Sequence, residues 1–346
     1  MNFPISDKYV YFDSAKSSGM YQELLDWRKN HDSMLLEMGS QLRINHKAFI
    51  DDFRSGVGNF FCSNKMDVYL TQSFSIGFKS LLNILDSDLK FLLINNDYPS
   101  ILEQVKSNGF QYNFVENKDN LEESILKGIE LHSPQVLVLT IVQYINGLLI
   151  DLDFLKELKK TYPNLLIIAD GTQFCGTRDF NFESSALDVL ISSGYKWMFS
   201  GFGNGFLLIK RKFVKQFLNK NSNKYGELAF SLAFEPGNID TLNFGSLLFS
   251  INKILDFGLS NIENRLKYLS NYAKQKFIEN ELLENHIVKR KNHSNIFNLK
   301  GGDSLYNKLI TNNIICSRRG SGIRVSFNFY NKKKEIDYLL TFFNKI

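Results

Sequence analysis

The sequence has few cysteines and no long apolar run. Its three cysteines, Cys62, Cys175 and Cys316, have no metal-type spacing and cannot form an even-numbered disulfide framework. No apolar run reaches the roughly 18 residues that a membrane span requires. The N-terminus also lacks the basic and then apolar stretches of a secretory signal. We therefore expect no metal site and no membrane association, and unpaired cysteines fit a reducing, cytoplasmic location.

An excess of charge of one sign is lacking too. The 41 basic and 36 acidic residues leave a net charge of only +5 over 346 residues. The run Lys332–Lys334 lies beside Glu335, which is typical of a solvated helix start rather than of a nucleic-acid surface. Hydrophobic residues make up 44% of the chain, enough for a large core and more than one domain. We expect a folded protein with no nucleic-acid partner.

Short apolar runs alternate with helical patterns over the first two thirds of the chain. The apolar runs predict strands at Val68–Thr71, Phe91–Ile94, Val136–Val142, Leu165–Ala169, Val189–Ser192 and Phe206–Ile209. Helical spacing lies between them at Ile76–Leu85, Ser100–Ser107, Leu121–Leu131 and Leu152–Thr161. Strands that are apolar on both faces and alternate with helices indicate an α/β fold, a mostly parallel sheet between helices. Ligands of such sheets bind beyond the carboxyl ends of the strands.

The pattern changes after about residue 236. One long helix or a helix pair is predicted over Leu247–Phe277, followed by a strand at Gly322–Phe327 and a closing helix at Lys334–Phe343. These elements predict a small α+β domain at the C-terminus. We therefore expect an N-terminal segment at residues 1–18 that packs near the active site, a large domain at 19–240 and a small domain at 241–346.

Polar residues follow two successive predicted strands within Asn164–Lys210. Asp170 ends the first of these strands, and Lys196 follows the second, just before a glycine-rich turn. Both side chains should therefore lie at the ligand-binding edge of the sheet. Pyridoxal 5'-phosphate (PLP) needs a lysine amine that forms an imine with its aldehyde and a carboxylate that faces its ring nitrogen. The two strand ends supply this pair.

The same stretch resembles the active-site core of the class V aminotransferase family, which includes cysteine desulfurases, kynureninases and isopenicillin-epimerase-like proteins. The matching residues are Asp170, Gln173, Gly176, Asp188 and Ser193-Gly194-Tyr195-Lys196. The resemblance implies a fold type I PLP-dependent enzyme in which Lys196 forms the Schiff base and Asp170 faces the pyridinium. It also makes Gln173 the partner of the ring oxygen, and Ser193 and Tyr195 phosphate ligands. Tyrosine before the lysine is similar to kynureninase.

Two further segments resemble cofactor-binding parts of the family. Thr71–Ser75 lies where the family binds the phosphate, which implies this role for the Phe74 backbone amide and the Ser75 hydroxyl. This sequence departs from the family there, because Ser73 replaces the usual glycine. Tyr98, in Asp97-Tyr98-Pro99-Ser100, resembles the residue that stacks on the cofactor ring.

The resemblance continues to the C-terminus. Asn238, in Glu235-Pro236-Gly237-Asn238, lies where relatives reach the phosphate of the neighbouring subunit, which implies a homodimer with shared active sites. Arg324 matches the arginine that binds the α-carboxylate of an amino-acid substrate, a role suited to the planar fork of a guanidinium.

The resemblance makes an aminotransferase the first expectation for the reaction. A lyase that cleaves C–S, C–Se or Cβ–C bonds, and a non-catalytic PLP-binding relative, remain alternatives. A persulfide-forming cysteine desulfurase is disfavoured, because the segment between Arg319 and Arg324 is short and has no cysteine. Cys316 lies in an apolar run, and Cys175 is expected to pack behind the cofactor ring. The sequence does not identify which amino acid is the substrate.

Overall fold

The computed structural model describes residues 1–43, 45–117 and 120–343. Its strands are β1 (Val10–Tyr11), β2 (Val68–Thr71), β3 (Lys90–Ile94), β4 (Gln111–Val115), β5 (Val136–Thr140), β6 (Leu166–Asp170), β7 (Val189–Ser193), β8 (Gly205–Ile209), β9 (Ile296–Leu299), β10 (Ile314–Ile315), β11 (Ser317–Arg319) and β12 (Gly322–Ser326).

Its first nine α-helices are α1 (Ile5–Lys8), α2 (Gln22–Met38), α3 (His46–Phe60), α4 (Phe74–Ile84), α5 (Pro99–Ser107), α6 (Leu121–His132), α7 (Leu152–Thr161), α8 (Arg211–Val214) and α9 (Lys220–Asn223). They are followed by α10 (Leu228–Phe234), α11 (Thr241–Phe257), α12 (Leu259–Glu279), α13 (Asn285–Lys289), α14 (Asp303–Thr311) and α15 (Lys333–Phe343). Short 3₁₀ helices lie at Gly39–Arg43, Lys65–Asp67 and Lys215–Phe217.

A seven-stranded sheet in the order β2-β8-β7-β6-β5-β3-β4 forms the centre of the molecule. Strands β3 to β7 pair in parallel, and β8 runs antiparallel to both of its neighbours. The predicted α/β fold is therefore confirmed, and every predicted strand of this sheet is present. Strand β4 was not predicted, because this edge strand is largely exposed and has no apolar run.

Both faces of the central sheet are covered. Leu137 and Leu139 of β5 belong to one apolar core, and Val136 and Val138 belong to the core on the opposite face. All residues of β5, β6, β7 and β8 are buried. Burial on both faces explains why these strands have continuous apolar sequences. Among the residues that the structure describes, no helix has the length and apolar character needed to cross a membrane.

The C-terminal region contains an antiparallel sheet in the order β11-β12-β9. The long helical pattern before it forms two helices, which separate at Gly258, where φ is +89°. Helix α11 packs against α2 and α3: the Trp27 and Phe249 rings are stacked, and the Phe53 and Phe244 rings meet edge to face. Helix α11, in the predicted small domain, therefore packs on helices of the predicted large domain, and the boundary at residue 240 stays a prediction.

The N-terminal segment connects the C-terminal strands to the carboxyl ends of the central strands. Strand β1 pairs in parallel with β10, and Asp13 forms an isolated parallel bridge with Ser326. A few residues on, the Ala15 carbonyl accepts a hydrogen bond from Gln173 Nε2 (2.8 Å). The segment therefore lies beside residues that the sequence assigns to the active site.

Candidate active site

A cavity of about 120 Å³ lies at the carboxyl ends of β5, β6 and β7. Its walls are formed by Ser73, Phe74, Ser75, Tyr98, Thr140, Val142, Tyr144, Asp170, Thr172, Gln173, Ser193, Tyr195 and Lys196. Eight of the ten predicted site residues are on this wall, although they come from four separate stretches of the chain. Arg324 and Asn238 are not. The parallel sheet brings the strand ends together, and the rule for α/β proteins locates the cavity correctly.

Asp170 and Lys196 are the charged pair of this cavity. Asp170 ends β6, between Thr140 of β5 and Ile191 of β7. Burial raises the pKa of Asp170 to about 6, an effect that hydrogen bonds from Thr172 and the charge of Lys196 oppose. Burial lowers the pKa of Lys196 to about 8, although the charge of Asp170 opposes this shift. A large fraction of the lysine amine is therefore neutral near pH 8, as a nucleophile or a base requires.

The loop that carries Lys196 is fixed by a close approach at Gly194. Its amide donates to the carbonyl of Asn204 (2.9 Å), and the Ser200 hydroxyl donates to Asn204 Oδ1 (2.6 Å). A Cβ atom on residue 194 would lie 2.1 Å from Asn204 Oδ1 and 2.2 Å from Ser200 Oγ. A side chain at residue 194 would displace Asn204 and Ser200, so packing explains the glycine of the Ser-Gly-Tyr-Lys sequence.

Several hydrogen-bond donors lie at one end of the cavity. Helix α4 begins there, and the Phe74 amide donates to Ser193 Oγ (2.9 Å). The Ser75 hydroxyl accepts a bond from Ser100 Oγ (2.8 Å), so its own hydrogen is available to another acceptor. Burial raises the pKa of Tyr195 to about 12, so its phenol keeps its proton at neutral pH. Hydroxyls beside a helix N-terminus are suited to binding a phosphate.

Tyr98 is positioned by a carboxylate behind it. Asp97 accepts hydrogen bonds from the amide of Tyr98 (2.7 Å), the amide and hydroxyl of Thr140 (2.9 and 2.7 Å) and Gln143 Nε2 (3.1 Å). The Tyr98 ring packs at a steep angle against the rings of Phe74 and Tyr144. This half-buried ring forms part of the cavity wall, as a residue that stacks on a cofactor must.

Gln173 and Thr172 connect the strand ends. Gln173 Nε2 donates to the Ala15 carbonyl, and its Oε1 accepts from Trp197 Nε1 (2.8 Å), which leaves one amide hydrogen for a ligand. The Thr172 amide donates to Asp170 Oδ1 (2.7 Å), and its hydroxyl accepts from the Ser193 amide (3.1 Å). Sequence reasoning missed Thr172, although it lies inside the Asp-Gly-Thr-Gln motif.

Asp188 lies far from this chemistry, at the opposite end of the sheet. It accepts hydrogen bonds from Lys159 Nζ (2.7 Å) and from the amide of Ile167 (2.8 Å), just before β7 begins. Asp188 therefore has a structural role: it connects helix α7 and strand β6 at the start of β7.

Arg324 and Asn238 lie outside the cavity wall. The Arg324 guanidinium is only 2% exposed, and its Nη1 donates to the carbonyl of Tyr144 (2.8 Å), a residue of the wall. Besides burial, the charge of Arg324 lowers the pKa of Lys196. Asn238 lies at a separate cavity with Thr71 and Gln72. Direct roles for both residues stay predictions.

The wall fits PLP in the chemistry of its donors and acceptors. Lys196 can bind the aldehyde, Asp170 the ring nitrogen, and Gln173 the ring oxygen, while the donors at the start of α4 and Ser193 can hold the phosphate. A buried carboxylate beside an amine of lowered pKa is the pairing that this cofactor uses. In the described ranges, no group of His, Cys, Asp and Glu side chains is placed to hold a metal ion.

Several solved structures share this fold. The cystine C–S lyase C-DES, in complex with its product cysteine persulfide, aligns with a TM-score of 0.87 and 15% identity over 99% of each chain. A cysteine desulfurase from Thermococcus onnurineus NA1 aligns with a TM-score of 0.81 and 16% identity, over 100% of this chain and 96% of that one. A NifS-like protein gives a TM-score of 0.75 and 16% identity, over 97% and 98% of the two chains.

No curated protein matches the chain in sequence. The family model for aminotransferase class-V matches residues 10–339, which is nearly the whole chain and includes both strand ends of the cavity. The chain belongs to the class-V aminotransferase family of PLP-dependent enzymes.

Proposed function

We propose that this protein is a PLP-dependent lyase that cleaves a C–S bond of a sulfur-containing amino acid, without forming a persulfide on its own cysteines. The main support for a reaction at the substrate Cα is the buried pair of Lys196 and Asp170 on one cavity wall. The full-length likeness to a cystine C–S lyase supports the lyase, so the alternative weighed from the sequence is preferred here over the aminotransferase. The aminotransferase remains the second candidate, because the same pair serves transamination.

The chain's own residues supply proton transfer and orientation. When bound, PLP supplies the electron sink that makes the substrate Cα–H acidic. The neutral amine of Lys196 takes that proton, and Asp170 keeps the ring nitrogen protonated through a charge-assisted hydrogen bond. Tyr98 limits the cavity on one side, and the donors at the start of α4 fix the far end of the cofactor.

The reaction that we propose for a disulfide substrate is balanced without an external oxidant or reductant. The Cα–H and Cβ–S bonds of cystine break, and the sulfur fragment leaves with the bond electrons and a proton as cysteine persulfide. Water then hydrolyses the remaining unsaturated amine. The sum is cystine plus water to pyruvate, ammonia and cysteine persulfide.

The three cysteines give no support to an enzyme-bound persulfide. Burial raises the pKa of Cys175, which packs beneath Gly171, and burial raises the pKa of Cys316 to about 12. A thiol that stays protonated and buried is a poor nucleophile. Cys62 is exposed, but it does not line the cavity.

A product screen tests the proposal. The purified protein is loaded with PLP and offered each amino acid, including cystine and S-alkyl cysteines, with pyruvate and persulfide measured together with the cofactor spectrum. We expect pyruvate and persulfide from cystine, and no change when all three cysteines are replaced by alanine. Stoichiometric conversion of the cofactor to its pyridoxamine form would support the aminotransferase. Loss of activity in the cysteine-free variant, with a persulfide on one cysteine of the parent protein, would contradict the proposal.

We also propose that the active enzyme is a homodimer in which Asn238 acts on the partner's cofactor. The support is that Asn238 lies outside the cavity of its own subunit, in a loop held by hydrogen bonding of Glu235 to the Leu70 amide. Subunits carrying Lys196→Ala and Asn238→Ala can be mixed to test this. If Asn238 acts across the interface, a mixed dimer has one intact site and regains activity. If the mixture of the two variants is no more active than either variant alone, the shared active site is contradicted.

A further inference from the structure

Arg324 already has a carboxylate partner within the chain. Its Nη2 lies 3.4 Å from Asp13 Oδ1, and the two side chains are 2% and 4% exposed. The bond from Nη1 to the Tyr144 carbonyl uses a second N–H group. A guanidinium has five such groups, and the buried Nε has no partner among the residues that the structure describes. Arg324 is therefore held in an internal pair that leaves part of its donor fork unused.

Asp13 is anchored more firmly to another residue than to Arg324. The Ser317 hydroxyl lies 2.7 Å from each carboxylate oxygen of Asp13, compared with the 3.4 Å contact to the arginine. Ser317 and Arg324 are direct neighbours across β11 and β12. Asp13 can therefore keep its bond to Ser317 while the guanidinium turns toward another carboxylate. The Tyr144 carbonyl marks the direction of that turn, because Tyr144 forms part of the cavity wall.

We propose that Asp13 is a specificity-determining residue that competes with the substrate carboxylate for Arg324, so that each carboxylate bound is accompanied by a proton taken up on Asp13. This inference rests on the proposed lyase and on the predicted role of Arg324, which is to bind the carboxylate of its amino-acid substrate. A substrate without a carboxylate leaves the Asp13–Arg324 pair intact. Asp13 therefore affects how tightly carboxylates bind, and it has no direct part in bond cleavage.

The charges around Asp13 determine the sign of the proton coupling. Titratable groups face it from β12, from the residue that precedes β11, from its own segment and from across the cavity: Arg324, Cys316, Tyr11, Lys16 and Lys196. Burial raises the pKa of Asp13, while Ser317 and Arg324 oppose the rise. When a second carboxylate takes Arg324, Asp13 loses part of that opposition and gains a like charge, so its pKa rises further. Binding therefore takes up a proton and strengthens as pH falls.

The test uses the PLP-loaded protein and propionate, which has a carboxylate but no amine to react with the cofactor. Calorimetric titration in two buffers with different ionisation enthalpies counts the protons taken up. For the parent protein we expect proton uptake on binding, with a dissociation constant that rises with pH by up to about tenfold per pH unit. Asp13→Asn should bind propionate several-fold more tightly at pH 8, without proton uptake. The exposed Asp7→Asn is the matched control and should behave like the parent.

Two results would overturn the proposal. One is unchanged proton uptake in Asp13→Asn, and the other is weaker propionate binding in that variant, which would mean that Asp13 only supports Arg324. If Asp13→Asn does not fold, Ser317→Ala removes the anchor instead, and its proton uptake should differ from that of the parent. Propionate binding does not depend on turnover. If the product screen fails but propionate binding still takes up a proton, only the lyase proposal is refuted. If the enzyme is active but propionate binding takes up no proton, only this inference is refuted.

Discussion

Replacing Asp170 by asparagine should produce two effects that can be measured separately. An asparagine has nearly the same shape, and its amide oxygen can still accept the 2.7 Å bond from the Thr172 amide. The change therefore removes a charge from a buried position while it keeps a local hydrogen bond. The lost charge acts on the cofactor ring and on Lys196, whose pKa Asp170 raises.

The magnitudes follow from these two interactions. A charge-assisted hydrogen bond of about 1.5–3 kcal/mol to the ring nitrogen corresponds to a fall of about 10- to 150-fold in kcat. Without the carboxylate, the pKa of Lys196 should fall below its value of about 8. An amine is neutral above its pKa, so the lysine of the variant should react with the PLP aldehyde at lower pH than the lysine of the parent protein.

The assay mixes cofactor-free protein with PLP between pH 6 and 10 and follows the imine absorbance in a stopped-flow instrument. The capture rate of the parent should rise to a plateau with a midpoint near pH 8, and the midpoint of Asp170→Asn should be lower. The exposed Asp179→Asn is the control and should leave the midpoint and kcat unchanged. Near-normal kcat in Asp170→Asn would refute its role at the ring, and a parent midpoint near pH 10 would refute the buried, largely neutral lysine.

Three further predictions concern single residues. Borohydride should trap the cofactor on the peptide that contains Lys196, and Lys196→Ala should bind PLP without this adduct and lose turnover by several orders of magnitude; an adduct on another lysine would rule out the assignment. Arg324→Lys should lower kcat/KM for an amino acid by about 10- to 150-fold, as a loss of about 1.5–3 kcal/mol implies. An equal loss for an amine without a carboxylate would give Arg324 another role. Gly194→Ala should lower the free energy of unfolding by about 1–3 kcal/mol, because its Cβ meets Asn204; a melting temperature equal to that of the parent protein would contradict the packing argument.

The sequence by itself determined the central sheet and the two strand ends that carry Asp170 and Lys196. Strands buried on both faces are apolar throughout, so their positions can be read from a single segment of chain. The carboxyl ends of parallel strands meet at one edge, so the proximity of the two side chains also followed. Local signals failed for β4 and α2, because an exposed edge strand and a helix with one buried residue have little apolar pattern.

Only the tertiary structure decided the surroundings of Arg324. Its sequence position identified a candidate carboxylate ligand, but nothing near residue 324 shows that Asp13 is paired with it. That pairing arises because β1 adds to β10 and brings the N-terminal segment against β12. Contacts between residues so distant in the chain depend on how whole elements pack, and a pattern within one segment carries no information about them.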